Sequence, residues 1–221
     1  MALIKPYFHS GVPYTYDGEN HLARFANYKV ALKEGQFPPR FAPNLNNHYG
    51  YPVFNYNYPL ANILSVPMSA VGISYEITFK LLMITALVIG AFGVSAWLKA
   101  LNFKNRSIRF LSIASLLLAP FTVNLVYVRG SIGEIWALAL FPWLLWLSHE
   151  IKEKKKVSWL ASITILTSFI LAHNVSVLFG GIVWGIYTLI IFQKEKSAWK
   201  LLLQRGSISL GMSLWFWLPA M

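Results

Sequence analysis

The feature that most constrains this chain is a succession of apolar blocks, each near the roughly twenty residues needed to cross a bilayer. They occupy 78–100, 108–127, 132–149, 157–173, 175–192 and 206–221. Runs of this length differ from the short periodic stripes of a water-soluble core. Composition agrees. Of the 221 residues 56% are hydrophobic and only 12% are charged, against about 25% charged in an ordinary soluble domain. The expected fold is therefore all-α: a polytopic transmembrane bundle of about six spans over 61–221, preceded by a polar, aromatic region over 1–60.

A net charge of +11 would point a soluble protein toward nucleic acid. Here the basic residues fall in short connections between apolar blocks, where they act as orientation signals, so the expected partner is the bilayer and not nucleic acid. Lys104, Arg106 and Arg109 form one group. Lys152, Lys154, Lys155 and Lys156 form a second, and Lys194, Lys196, Lys200 and Arg205 a third. These are alternate connections, and the positive-inside rule makes them cytoplasmic. The turns at 128–131 and 173–174, and the 1–60 region, are then external. Met1 to Pro13 does not read as a cleavable signal peptide. An external opening region therefore requires either 78–100 as a reverse anchor or a preceding span. With the last block ending abruptly at Met221, a fragment of a longer protein is expected. The absence of cysteine excludes disulfides and thiolate metal sites.

Within 1–60, Asp17 to Gly35 reads as an amphipathic helix along the membrane surface. Asp17 serves as its cap, Leu22, Phe25, Ala26 and Leu32 form a partial apolar stripe, and Gly35 with Pro38-Pro39 ends it. Gln36 to Pro59 is Pro-punctuated and too aromatic for a disordered segment, so an ordered, packed loop is expected. Residues 60–75, interrupted by Pro67 and Gly72, read as re-entrant or interfacial.

With this topology the ionisable residues that are costly near a membrane gather on the external side, and such groups are functional candidates by default. Asp17, His21 and Arg24 are spaced to share a helix face. Asp17 and His21 together suit a divalent cation (Mg or Mn) or acid–base work; the plainer alternative is a capping Asp17 with His21 and Arg24 in solvent. Arg129, beside Gly130, suits bidentate phosphate binding, or simply pairs with Glu134 about a turn away. Glu134 is a candidate catalytic or orienting carboxylate. His173 is a candidate ligand-binding residue or a helix-end histidine bonded to backbone. Tyr49, Tyr51 and Asn55, in the Asn/Tyr-dense stretch 47–58, suit carbohydrate or headgroup contact, or equally a packed lid with no ligand of its own, and Arg40 adds a further cation. Glu76 and Lys80 form an i, i+4 pair that needs no function.

Several runs together resemble a known family: YDGENHLAR, GQFPPRFAPNLNNHYGYPVFNYNYPL, VYVRGSIGEIWALALFPWL, LAHN and WFWLPA. They are similar to the 6-pyruvoyl-tetrahydropterin synthase-related membrane proteins of bacteria and archaea, which look akin to YfhO-like proteins and to the GT-C membrane glycosyltransferases. The resemblance covers nearly the whole chain. It implies a GT-C-like fold in a prokaryotic plasma membrane, with an acidic first external loop over an extracytoplasmic site. Its acidic residue falls on Asp17, its PPR and YGYP elements on Pro38 to Arg40 and Tyr49 to Pro52, and its RG…E element on Arg129, Gly130 and Glu134. Tyr16 stands where a histidine is usual. No pterin chemistry is implied, since the chain has no zinc-binding histidine set.

The activity so implied is transfer of a sugar from a polyprenyl-phosphate carrier to a glycan or lipid acceptor, with Asp17 as general base or cation ligand, and Arg129 and Arg40 on the phosphate. A donor on a lipid carrier is consistent with the lack of a Gly-rich phosphate loop. A lipid-linked glycan transporter or flippase is the alternative, expected to carry ionisable residues near the bilayer midplane, where the blocks here are almost purely apolar. A non-catalytic assembly protein is the third.

Overall fold

A computed structural model describes residues 5, 7–154, 156–193 and 195–220. Met1, Lys155, Lys194 and Met221, which enter the topology expectation, lie outside the described residues. Among the described residues the fold is all-α, with nine α-helices and a single isolated bridge between Ala42 and Tyr51. The helices are α1 (Gly18–Lys33), α2 (Leu60–Ala70), α3 (Tyr75–Ala100), α4 (Arg106–Leu118), α5 (Pro120–Asn124), α6 (Ile132–Lys152), α7 (Trp159–Ile170), α8 (Asn174–Phe192) and α9 (Lys196–Ala220).

The central pair is α3 and α6. Two glycines on α3 permit their close approach, as small residues do in membrane helix packing. A Cβ at Gly90 would stand 3.2 Å from the Ala139 backbone, and one at Gly93 would stand 2.8 Å from the Trp143 ring. The Trp143 indole N–H then donates to the Ile89 carbonyl at 2.9 Å. Phe79, Leu82, Met83 and Ala86 of α3 meet Ile135, Leu144 and Leu147 of α6 in a fully buried core. Helices α7, α8 and α9 add to the other side of α6, with the Trp184 indole donating to Ser148 Oγ at 2.8 Å.

Three helices, α3, α6 and α8, are long and apolar enough to cross a membrane, and the bent pair made by α4 with α5 and its extension makes up to four. The apolar block expected at 108–127 is thus a broken one. Ser107 and Ile108 amides donate to the Asn105 side chain and start α4. Pro120 then lacks the N–H that would continue the helix and forces Ala119 into extended backbone, at ψ 136°. The two halves bend by 41°. At 157–173 the helix is shorter than the apolar block: α7 has 12 residues, about 18 Å of rise against a hydrocarbon core of about 30 Å. The basic connection expected over 193–205 is instead mostly helix, because no glycine or proline lies between Lys196 and Arg205 to break it. Arg205 is buried there, donating to Ser162 Oγ at 2.6 Å and to the Val157 carbonyl at 3.1 Å.

The first sixty residues fold onto the bundle. Helix α1 buries His21, Phe25, Tyr28 and Ala31 against α2, α3 and the following loop. Loop 36–59 is ordered: Tyr28, Ala31, Ala42, Val53 and Phe54 form a second small core, and Asn27 Oδ1 accepts the Asn44 amide at 2.8 Å.

Candidate functional site

The site is built on a turn. After α5 the chain makes one π-helical turn, Leu125–Arg129, which ends at Gly130 with φ +63°. Such π turns inside helical segments frequently mark functional positions. Glycine is required here twice over: its left-handed backbone disfavours other residues, and a Cβ would collide with Thr15. That absence of a side chain lets the segment before α1 dock on the turn. The Tyr16 amide donates to the Val128 carbonyl at 3.0 Å, and the Asp17 amide to the Arg129 carbonyl at 2.8 Å. The DG motif at 17–18 and the RG motif at 129–130 therefore touch through backbone.

Asp17 occupies the cap position of α1, yet its carboxylate makes no capping bond. The bond to the Gly18 amide comes from Thr15 Oγ1 at 3.1 Å. The capping role expected of the Asp17 side chain is thus taken by Thr15, which leaves a half-buried carboxylate within electrostatic reach of Tyr58 and His173.

Arg129 and Glu134 pair bidentately. Arg129 Nη2 lies 2.5 Å from Glu134 Oε1, and Nη1 donates to Oε2 at 3.0 Å. The Ser131 hydroxyl donates to Oε1 at 3.0 Å, and His173 Nε2 stands 3.9 Å from the same oxygen. The exposure is unequal: the Glu134 side chain is 9% exposed and that of Arg129 is 42%. One edge of the guanidinium is held while the rest reaches the surface. His173 caps α8, its Nδ1 accepting the Ser176 amide at 3.2 Å. An acceptor nitrogen carries no proton, so the ring proton sits on Nε2, facing Glu134.

Tyr58 joins these groups, and the sequence reading missed it. Its ring packs 4.8 Å from that of His173 and 6.2 Å from that of His21. Its hydroxyl lies within electrostatic reach of Ser131, Glu134, Asp17 and Arg24. A Cβ at Gly133 would run into the Tyr58 ring, so this glycine is what admits the tyrosine. Burial first, with Asp17 and Glu134 adding, pushes the phenol up to about 12, against the opposing pull of Arg24 and of Ser131. The only signal in the chain was the Tyr58-Pro59 pair at the start of α2, inside a loop crowded with other tyrosines.

His21 lies 1% exposed in a box of rings from Phe25, Tyr58 and Phe79. Burial, with Arg24 and His173 adding, depresses its pKa to about 3, so the ring is neutral at physiological pH. It points into the aromatic box, with Nε2 unpartnered. Among the described residues no group of three His, Cys, Asp or Glu side chains is placed to hold a metal ion.

The structure thus brings together Asp17, His21, Arg24, Arg129, Glu134 and His173. It does not bring in the others. Arg40 donates to the Trp215 carbonyl of α9 and lies over the same residue's ring, 5.9 Å from its centroid. Tyr49 and Tyr51 are 85% and 50% exposed on the far part of the loop, and among the described residues no hydrogen bond, ion pair or ring contact ties them or Asn55 to the Arg129–Glu134 pair. Beside the docked segment lies an open cleft of about 430 Å³, lined by Tyr14, Thr15, Tyr16, Glu19, Asn20 and Tyr127.

Four helix N-termini, those of α1, α2, α6 and α8, meet around this cluster, through Asp17, Tyr58, Ser131 and His173 respectively. Helix N-termini carry partial positive charge and favour anions. Arg129 and Arg24 add full positive charges, matched in number by the carboxylates of Glu134 and Asp17.

The fold and site define a helical membrane protein with a polar cluster of paired charges at the N-terminal ends of its helices. The chain belongs to the 6-pyruvoyl-tetrahydropterin synthase-related family, described as a membrane protein domain, whose model matches residues 54–221. That match takes in Tyr58, Arg129, Glu134 and His173; Asp17, His21 and Arg24 lie before it. No curated protein and no solved structure matches the chain.

Proposed function

We propose that this chain is a GT-C-like glycosyltransferase, moving a sugar from a polyprenyl-phosphate carrier to a glycan or lipid acceptor on the outer face of a prokaryotic plasma membrane. One observation carries the reading: a half-exposed Arg129 on a turn where four helix N-termini converge, with the uncapped carboxylate of Asp17 alongside. This is a site for a phosphate next to a base.

The chemistry follows from that pairing. The carrier's phosphate oxygens bind the exposed edge of Arg129, aided by the helix dipoles and by Arg24. Asp17 accepts the proton of an acceptor hydroxyl in the cleft beside it. The acceptor oxygen forms a bond to the anomeric carbon as the bond from that carbon to the phosphate oxygen breaks, and the electron pair leaves on the phosphate. Arg129 stabilises the charge that develops there, a role that is most effective when the donor is already oriented. Glu134 orients Arg129; Ser131, Tyr58 and the proton on His173 Nε2 in turn surround Glu134. The buried rings of Tyr58 and His21, both neutral, back the site and keep water from its inner side.

Transfer of labelled sugar from a panel of polyprenyl-phosphate donors, in membranes holding wild type or Asp17→Asn at equal expression, tests this. Transfer by wild type that is lost in Asp17→Asn supports the enzyme and the base. Asp17→Asn matters little to an assembly protein, and to a transporter only where the site binds protons or cations.

A further inference from the structure

At the other end of the bundle from the Arg129 turn, α7 and α9 line an open groove of about 890 Å³ apart from the proposed site. Its upper wall is cationic and aromatic: Lys196, Trp199 and Lys200 of α9, with Trp159 of α7. Its continuation presents Leu203 and Ile208, which are 62% and 43% exposed, with Gln204 and Ser207 between them.

Each part has a cause. Lys196 and Lys200 are one turn apart on an exposed helix face, where like charges repel unless an anion lies between them. The adjacent carboxylate, Glu195, is turned toward Lys154, 4.0 Å away. Both indoles are braced from behind. The Trp159 ring carries the buried Arg205 guanidinium 5.1 Å from its centroid, and the Trp199 ring packs edge-on to Phe192 at 5.2 Å. Tryptophans fixed this way beside lysines match the headgroup level of a bilayer, and basic pockets between membrane helices favour anionic headgroups.

We infer that this groove binds one anionic phospholipid, its phosphate between Lys196 and Lys200 and an acyl chain along Leu203 and Ile208. A soluble anion would use the lysines but not the apolar wall, and a zwitterionic lipid the wall but not the charges.

The test uses the full chain purified in detergent, titrated with phosphatidylglycerol, phosphatidylcholine or glycerol phosphate, reading the thermal midpoint. Phosphatidylglycerol is expected to raise the midpoint saturably, and the other two to have little effect. The exposed pair Lys196→Ala with Lys200→Ala should fold normally and weaken phosphatidylglycerol about 25-fold, roughly fivefold per lysine. Lys104→Ala with Arg106→Ala, in another basic connection, should bind as wild type. Equal effects of the two lipids, equal loss in both double variants, or glycerol phosphate matching phosphatidylglycerol would each overturn the assignment.

Discussion

Arg129 grips Glu134 with both guanidinium nitrogens, Nη2 at 2.5 Å and Nη1 at 3.0 Å, while its own side chain remains 42% exposed. The carboxylate is the buried member; in the proposed mechanism it serves as a mount and the arginine as the working end. Lysine offers a single point charge and cannot reproduce both bonds. Arg129→Lys should therefore lose most transfer while folding nearly as wild type. Glu134→Gln should lower thermal stability by about 1–3 kcal/mol and reduce transfer, which separates orienting from binding when carrier affinity is measured beside turnover.

Gly130→Ala should be among the most damaging single changes. The backbone stands at φ +63° and the added methyl meets Thr15. A left-handed conformation alone costs about 1–2 kcal/mol for a side-chain-bearing residue. The collision adds to that and pushes the Asp17 segment off the turn. Thermal unfolding should show the loss, with transfer falling further than stability explains.

Tyr58 divides into a ring and a hydroxyl. Tyr58→Phe keeps the packing on His173 and His21 and removes only the polar hydroxyl, so its stability cost should stay within about 0.5–1.5 kcal/mol. Tyr58→Ala empties the space between α1, α2 and α6 and should cost about 3–5 kcal/mol. If both variants unfold alike, the ring is not the keystone of this packing.

Acid should destabilise the fold through His21. Its folded pKa of about 3 lies below the ordinary 6.5. Between those values only the unfolded chain takes up the proton, so stability is full above about pH 6.5 and falls as pH drops. The limiting slope is about 1.4 kcal/mol per pH unit. His21→Phe should remove that slope and, by replacing an unpartnered buried Nε2 with carbon, hold stability at neutral pH. Unfolding midpoints against pH for both proteins measure this.

The long helices were legible because an apolar run states its own length, and α3, α6 and α8 begin and end within three residues of the blocks at 78–100, 132–149 and 175–192. Breaks were less visible. Pro120 was there to be read, but its block was apolar on both sides. The start of α9 was hidden by charge, because lysines that mark a connection also sit comfortably on a helix face. Local pairs came through: Arg129 with Glu134 and Glu76 with Lys80 are close in sequence, the latter 2.8 Å apart. Contacts between distant segments did not. Arg40 was grouped with the phosphate site by its charge, but its partner is the Trp215 carbonyl, 175 positions away. Tyr58 depends on Gly133, Ser131 and His173, which no local pattern connects to it.

The most direct measurement pairs carrier binding with sugar transfer for the wild type, Asp17→Asn and Arg129→Lys. The account predicts that Asp17→Asn binds the polyprenyl-phosphate carrier as wild type does yet transfers no sugar, whereas Arg129→Lys loses both. Sugar transfer that continues undiminished in Asp17→Asn would contradict it.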